Sequence, residues 1–357
     1  MAYSGTINQT KVNVAQLIEY AFREAGKTAE EQTPEYINAA KQALFYILQS
    51  LSNKGIDLWA IKTVLLGALE AQTEVFLPEG TVKILAANWR YVQTPGVSGT
   101  LPVSNIDVGN LFNNNNPTLE LHATSTIQNN YFGWNYTSGQ IITQVGFNAY
   151  SPNGPTDYNL VLETSNDGVT WTTRQTLPTV TLEDFGWYYF QLDPTPGYNY
   201  YRLRETVATT FSLRAIQPSY VQQDIPLAPL NRDTYFALPN KQFQSERSLQ
   251  YWYNKGVRQS IYLWPIPQDN FQCFQLVLEQ QVQDAGTLSN ELYIPNRWLN
   301  AIQSMLSHKV AKQLPGVDLA RIQYLEAQAN QDLVDAGNGE EDNAPIYFQP
   351  NISYYTR

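Results

Sequence analysis

Few residues in this 357-residue chain are of types that perform acid–base or metal chemistry. It has two histidines. His122 lies in a predicted strand, where we expect a polar face residue, and His308 lies beside lysines on a predicted helix, where we expect a solvated or capping role. A histidine-rich metal site is therefore excluded. No phosphate-binding loop, nucleophile elbow or HExxH helix occurs in the sequence. From these residues we expect no metal site and no cofactor.

The carboxylates offer one further route to catalysis. The adjacent pairs Glu183-Asp184 and Glu340-Glu341 could in principle supply the acid and the base of a glycosidase. Neighbours in sequence do not for that reason face each other across a substrate, and both pairs lie in loop-like sequence. Cys273, the only cysteine, lies in an alternating apolar strand, which predicts a small buried residue and not a nucleophile. We therefore expect that the chain is not an enzyme and has no disulfide framework.

Binding chemistry has better candidates in the middle of the chain. The candidates are four aromatic residues, Tyr131, Phe132, Trp134 and Tyr136. If these rings are exposed on loops, they form a possible binding surface for a glycan. If they face inward, they belong to a core or to a protein contact. Both interpretations remain open at the level of sequence.

The elements that position these residues begin and end with helices. Apolar residues at steps of three and four predict one helix over 14–25, closed by Gly26, and a second that starts at Thr33-Pro34. The same spacing predicts two more helices near the C-terminus, over 298–310 and 319–333. Since each helix has an apolar face that needs a partner, we expect a helical bundle formed between the two termini.

Short β-strand patterns and frequent turn residues fill the sequence between the helices. The predicted fold class is α+β: a helical bundle from both chain termini with short β-strands, and an inserted all-β sandwich of the jelly-roll type. We place an adaptor-like core at 1–93 and 218–337, the inserted module at 94–217 and an extended tail at 338–357. The tail combines acidic and aromatic residues and is expected to be ordered by a partner.

Composition limits the partners. A formal net charge of −10 argues against sequence-independent binding of nucleic acid, which depends on Lys and Arg. Aromatic residues reach 13% and charged residues only 15%, a balance that suits β-sandwiches and large wet interfaces. The N-terminal sequence lacks a basic region followed by an apolar run, and no long apolar stretch occurs, so we expect neither a signal peptide nor a membrane contact.

Three segments together resemble the head-to-tail adaptor (connector) proteins of short-tailed bacteriophages. They are Leu292–Ile302, the strand end Leu263–Pro267 and the tail motif Asn343-Ala344-Pro345. The N-terminal helix pair is similar to the same family. The resemblance covers roughly residues 10–90 and 220–350, and it depends on the order of these features because no single motif is diagnostic.

The resemblance implies a structural virion protein, assembled in the host cytoplasm. Such proteins form a ring, commonly twelve-fold, between the portal protein and the tail nozzle protein. The C-terminal tail would dock on the portal through Ile346, Tyr347, Phe348, Tyr354 and Tyr355. A negative lumen would let DNA pass without specific binding, because it repels the phosphate backbone.

The inserted module departs from the simplest adaptors, which lack it. Its segments Ser165–Trp171 and Tyr200–Arg204 resemble discoidin-like and galactose-binding-like jelly rolls. In the first segment we expect Gly168 to tolerate positive φ in a tight turn and Trp171 to pack as the next strand enters the sandwich. The module could dock a tail fibre, a spike or a neighbouring subunit. The alternative function is that of a carbohydrate-binding module on a helical scaffold.

Overall fold

The structure is a computed structural model that divides into two compact units. The helical unit comprises residues 1–61 and 281–357, and the β unit comprises residues 62–280. The residues described are 12–28, 31–52, 60–101, 112, 123–126, 131–151, 154–182, 186–193, 196–206, 210–269, 272–281, 286–292 and 294–338.

Four helices from the two ends of the chain share one buried apolar cluster in the helical unit. They are α1 (Val14–Glu24), α2 (Pro34–Ser52), α4 (Asn296–Gln313) and α5 (Leu319–Asn338). Helix α4 contacts each of the other three, and Trp298 on it is fully buried. The N-terminal helices are therefore completed by residues that follow the whole β unit in sequence.

Local signals explain where the N-terminal helices begin and end. Asn13 and Gln16 form a capping box at the start of α1, which satisfies two backbone N–H groups. At its end Gly26 adopts φ +82°, and the amide of Lys27 donates to the carbonyl of Phe22, the pattern of a Schellman motif. Thr33 accepts a hydrogen bond from the amide of Tyr36 and so caps α2. The predicted ends at Gly26 and Thr33 are confirmed.

The β unit contains twenty strands and one short helix, α3 (Arg232–Phe236), among its described residues. The strands are β1 (Ile61–Ala68), β2 (Glu74–Phe76), β3 (Thr81–Gln93), β4 (Gly99–Leu101), β5 (Ala123–Thr126), β6 (Tyr131–Gln140), β7 (Gln144–Tyr150), β8 (Thr156–Tyr158), β9 (Leu160–Ser165), β10 (Thr172–Thr176), β11 (Val180–Leu182), β12 (Gly186–Gln191), β13 (Tyr198–Glu205), β14 (Thr210–Pro226), β15 (Ala228–Leu230), β16 (Gln244–Ser245), β17 (Gln250–Asn254), β18 (Ser260–Trp264), β19 (Ile266–Pro267) and β20 (Gln272–Gln280).

A seven-stranded sheet of order β1-β20-β3-β14-β7-β12, with β5 also paired to β14, takes part in two apolar cores. Strands β1, β3 and β20 share one core with the four-stranded sheet β15-β17-β18-β2. Strands β7, β12 and β14 share the other core with the five-stranded sheet β10-β9-β13-β6-β4. The second pair of sheets is a β-sandwich of the kind expected for the inserted module.

The predicted domain boundaries differ from this arrangement. Strand β14 crosses the predicted end of the insertion at residue 217, pairing with β7 through residues 212–219 and with β3 through residues 220–226. Residues 62–93 and 218–280, assigned by sequence to the adaptor-like core, belong to the β unit. The physical reason is strand pairing: backbone hydrogen bonds join the insertion and its flanking strands in one sheet, and local sequence patterns carry no information on that pairing.

Candidate functional site

A cleft of about 490 Å³ lies where the chain enters and leaves the insertion. Its lining includes Gln93 at the end of β3, Tyr136 and Gln140 on β6, Ile141 after it, and Tyr220 on β14. Tyr220 and Ile141 are 43% and 48% exposed, so the cleft presents an aromatic ring and an aliphatic side chain to solvent. None of the lining residues is charged.

Backbone pairing holds the walls of this cleft together. The amide of Thr143 donates to the carbonyl of Ser219, and the hydroxyl of Thr143 accepts from the amide of Val221, which ties the turn after β6 to β14. On the floor, a Cβ atom added at Gly139 would lie 2.9 Å from the carbonyl oxygen of Gly197, so this approach requires glycine.

The chemistry of the cleft suits an uncharged polar ligand. Gln93 and Gln140 carry amides, and Thr137 carries a hydroxyl, so the walls offer both donors and acceptors. The Tyr220 ring offers an apolar face against which a sugar ring or another flat apolar group can pack. Lacking charged groups, the lining offers no ion pair to a charged ligand.

A second polar cluster lies on the outer face of the five-stranded sheet, the face opposite the sandwich core. Arg202 and Arg204 on β13 both bind the carboxylate of Glu163 on β9, Arg202 from Nε at 2.6 Å and Arg204 from Nε at 2.9 Å. The Arg202 guanidinium lies 4.1 Å from the ring centroid of Trp171 and 4.8 Å from that of Tyr131. Strand register places Arg202 directly opposite Glu163, so the cluster is built into the pairing.

The two arginines favour the charged form of the Glu163 carboxylate. Burial by itself raises the pKa of Glu163, but the hydrogen bonds from Arg204 and Arg202 more than offset it, and the pKa lies below its ordinary value of 4.5. One signal in the sequence could have predicted the cluster of Arg202, Arg204 and Glu163. The two arginines alternate with Leu203 along one strand, which places both charges on the same face of the sheet. Glu163 lies between two buried residues of another strand.

The structure separates the four aromatic residues predicted as a binding surface. Phe132, Trp134 and Tyr136 are buried in the core of the sandwich, whereas Tyr131 is half-buried on the outer face next to Arg202. Of the two interpretations that the sequence left open, the inward-facing one therefore holds for Phe132, Trp134 and Tyr136. The reason is the two-residue period of a strand, which puts residues 132, 134 and 136 on the inward face of β6 and Tyr131 on the other.

The turn Ser165–Trp171 follows the prediction in its first half only. Gly168 has φ +74°, and the Asp167 carboxylate accepts hydrogen bonds from the amides of Val169 and Thr170, which confirms the tight turn. The backbone hydrogen bond from Thr170 and the hydroxyl of Ser165 hold the pKa of Asp167 well below its ordinary value. Trp171 does not join the sandwich core; it is half-buried and packs on Arg202 instead.

Two of the residues weighed for chemistry lie within the described chain. Cys273 is buried, as predicted, and burial raises the pKa of its thiol to about 12. His308 is half-buried, not fully solvated, and burial together with the charge of Lys312 lowers its pKa. Neither side chain lines the cleft described above.

Other predicted residues lie outside the described residues. They are His122, the pairs Glu183-Asp184 and Glu340-Glu341, and the tail residues Ile346, Tyr347, Phe348, Tyr354 and Tyr355. Within the described ranges, no group of three or more His, Cys, Asp or Glu side chains is arranged to hold a metal ion. None of the helices described is both long and apolar enough to cross a membrane.

Comparisons with known proteins gave similarities to solved structures only. No protein-family model and no curated protein matches the chain. A truncated AlyQ with CBM32 and alginate lyase domains matches at 13% identity and TM-score 0.30, covering 38% of this chain and 34% of that one. The CBM32 of AlyQ in complex with 4,5-unsaturated mannuronic acid matches at 14% identity and TM-score 0.26. The match covers 39% of this chain and 97% of that one.

A third match is the chitosan-binding module 1 of a chitosanase/glucanase from Paenibacillus sp. IK-5, with 20% identity and TM-score 0.24, covering 39% of this chain and 99% of that one. The chain thus spans about a third of the length of the AlyQ protein with its lyase domain, and nearly all of the isolated modules. These neighbours are carbohydrate-binding modules. The β-sandwich described above is defined by its strand pairing and buried core, independently of these neighbours.

Proposed function

We propose that this chain is a non-enzymatic assembly protein of the head-to-tail adaptor kind that its terminal sequences resemble. The observation that carries the proposal is the helical unit, in which α1 and α2 share one buried cluster with α4 and α5. The whole β unit is thus an insertion in a platform that both chain ends complete. A helical unit built from both chain ends, with a separate β unit between them in sequence, suits a protein that connects larger parts.

The helical unit also offers apolar area for contacts between subunits. Five large apolar or aromatic side chains of this unit are more than half exposed: Tyr20 on α1, Tyr46 on α2, and Leu319, Tyr324 and Val334 on α5. In a ring each such contact repeats around the symmetry axis, so modest interfaces add to a stable assembly. In this proposal the ring lies between portal and nozzle in the virion, and the residues 346–348, 354 and 355 dock on the portal.

The mass of the full chain in solution, measured by native mass spectrometry with and without a portal protein, tests the proposal. We expect a large closed oligomer, formed by the chain alone or only on the portal. A chain that remains monomeric at all concentrations and does not bind the portal would contradict it. The net charge of −10 further predicts that the assembled ring does not bind duplex DNA at physiological salt.

A second candidate function is saccharide binding by the β unit. The observation that favours it is the uncharged cleft, which combines the exposed Tyr220 ring with amide and hydroxyl groups from Gln93, Gln140 and Thr137. Aromatic packing together with several neutral hydrogen bonds is the usual chemistry of sugar recognition. This function is compatible with assembly, because the insertion could bind a glycan while the helical unit forms a ring.

A glycan array followed by titration calorimetry tests this candidate. Replacing Tyr220 by Ala removes the exposed ring and is expected to weaken binding of a neutral sugar about two- to tenfold, since an aromatic contact contributes about 0.5–1.5 kcal/mol. Tyr91→Ala is the matched control, because Tyr91 is comparably exposed in the same unit and does not line the cleft. Equal affinities for the wild-type chain and the Tyr220 variant would exclude the cleft.

A further inference from the structure

We propose that the outer face of the five-stranded sheet binds the carboxylate of an acidic saccharide through Arg202 and Arg204. This inference rests on the second function proposed above, saccharide binding by the β unit, and assigns it a site apart from the cleft. The two arginines, Glu163, Trp171 and Tyr131 form the proposed uronate site.

Arg202 is held in place before any ligand arrives. Its Nε donates to Oε2 of Glu163 at 2.6 Å, and its guanidinium lies over the Trp171 and Tyr131 rings. Within the described part of the chain its two Nη groups donate to no protein acceptor, although the side chain keeps 17% of its surface exposed. A guanidinium fixed through Nε with both Nη groups available is suited to the two oxygens of one carboxylate.

The charges in the site favour an anion. Two guanidinium groups share one carboxylate, which leaves a net charge of one positive unit, and Glu163 is itself buried. Arg204 uses Nε and Nη2 for Glu163 and retains 29% side-chain exposure, so its Nη1 can serve as a further donor. The chain as a whole is negative, but a contact ion pair forms within the Debye length of about 8 Å, so the local charge governs binding.

The surroundings of Arg202 indicate that the carboxylate is attached to a sugar ring. Gly133 lies opposite Arg202 in the neighbouring strand, and a Cβ atom there would come within 2.9 Å of the Arg202 Cβ atom. Gly133 is itself buried, so the apolar surface next to the guanidinium comes from the half-buried Trp171 and Tyr131 rings. The exposed part of such rings suits the C–H face of a pyranose, and a free carboxylate ion would use only the arginines.

The test is titration calorimetry of the full chain with a short oligogalacturonate and with the same oligosaccharide after its carboxyl groups are reduced to alcohols. We expect the acid to bind at least about tenfold more tightly, since a hydrogen bond to a charged group contributes about 1.5–3 kcal/mol. Binding of the acid should weaken as salt rises, whereas binding of the neutral form should not.

The double variant Arg202→Gln with Glu163→Gln removes one charge of each sign and so keeps the net charge of the site constant. We expect it to lose the preference for the acid, while Arg232→Gln, an exposed arginine elsewhere in the unit, keeps it. If the double variant fails to fold by circular dichroism, Trp171→Ala takes its place, because it removes a flanking ring from a half-buried position.

The outcomes separate this inference from the function on which it rests. A preference for the acid that survives the double variant, or equal affinity of wild type for both sugars, overturns the uronate site. If in that case Tyr220→Ala abolishes binding, the chain binds saccharides at the cleft and not at the uronate site. If neither sugar, nor any glycan on an array, binds the wild-type chain, both the uronate site and the saccharide-binding function are excluded.

Discussion

Arg90 on β3 donates two hydrogen bonds to the carboxylate of Asp224 on β14, from Nε at 2.7 Å and from Nη2 at 2.8 Å. Its remaining Nη1 donates to Gln144 on β7 and to Gln191 on β12. The buried guanidinium thus joins the strands of the insertion to the strands that flank it. It lies where the two cores of the seven-stranded sheet meet, and we expect it to stabilise that junction.

Arg90→Met should destabilise the β unit by about 1–3 kcal/mol, because the Arg90 side chain is buried, whereas Asp224 keeps 28% of its side chain exposed and water partly compensates its charge. Asp224 would keep a charge without its partner, and two glutamine side chains would lose a donor. Denaturant unfolding measures the change, and Arg232→Met on the exposed surface is the control, expected within about 0.5 kcal/mol of wild type. A loss of less than about 1 kcal/mol in the Arg90 variant would show that the junction does not depend on this ion pair.

Glu163 should make stability depend on acid pH. Because its folded pKa lies below the ordinary 4.5, its contribution is fully present above that value and is lost as the pH falls through the lower folded pKa. Thermal midpoints of wild type and Glu163→Gln measured across this range check the prediction. The difference between the two proteins should shrink as the pH falls below the ordinary glutamate range. Parallel curves would mean that the Glu163 carboxylate is not stabilised by the arginines.

Gly168→Ala should weaken the turn between β9 and β10. The residue has φ +74°, and a Cβ atom would lie 3.3 Å from the Tyr200 ring, so both backbone strain and a close contact oppose alanine. We expect a loss of about 1–2 kcal/mol in denaturant unfolding. Gly96→Ala is the matched control, because Gly96 has an ordinary φ and open space at the Cβ position. If the two alanine variants are equally stable, the turn tolerates a side chain.

Cys273 should resist alkylation in the folded protein. Its thiol is buried, and with a pKa of about 12 the nucleophilic thiolate is almost absent at neutral pH. Mass spectrometry after treatment with iodoacetamide should show an unmodified native chain and complete modification in concentrated guanidinium. Rapid labelling of the native chain would place Cys273 at an accessible surface, contrary to the structure.

Trp298→Ala should destabilise the helical unit by about 3–5 kcal/mol, because the side chain is fully buried in the cluster shared by all four helices. Denaturant unfolding followed by the helical circular dichroism signal measures the loss. Gln42→Ala is the control, since Gln42 is an exposed polar residue of α2. If both variants lose the same stability, α4 does not complete the core of the N-terminal pair.

Sequence patterns located the end of α1, the start of α2 and one turn correctly. The Schellman motif at Gly26 and the cap at Thr33 follow from residue type and position, because the groups that satisfy these helix ends lie within a few residues of them. The tight turn at Gly168 follows for the same reason. Burial of Cys273 also follows, since alternation along a single strand separates an inner from an outer face.

The candidate sites could be predicted only in part. Alternation along β6 contains the information that Phe132, Trp134 and Tyr136 share a face, and the position of Tyr131 on the opposite face follows from it. Which face of β6 is buried depends on the sheet that packs against it. The residues of that sheet are distant in sequence, so the sequence of β6 alone does not identify the buried face. The cleft likewise requires Gln93, Gln140 and Tyr220 to meet, although they come from three separate strands.

By itself the sequence determined what is local: the presence of four helices, the end of the first and the start of the second, a β-rich middle, a glycine turn and one buried cysteine. Only the tertiary structure decided which strands share a sheet, because pairing joins residues far apart in the chain. It placed β14 across the predicted boundary of the insertion and set Glu163 opposite Arg202. It also turned Trp171 away from the core and onto Arg202, since the ring gains a cation to pack on where a local pattern predicted only an apolar contact.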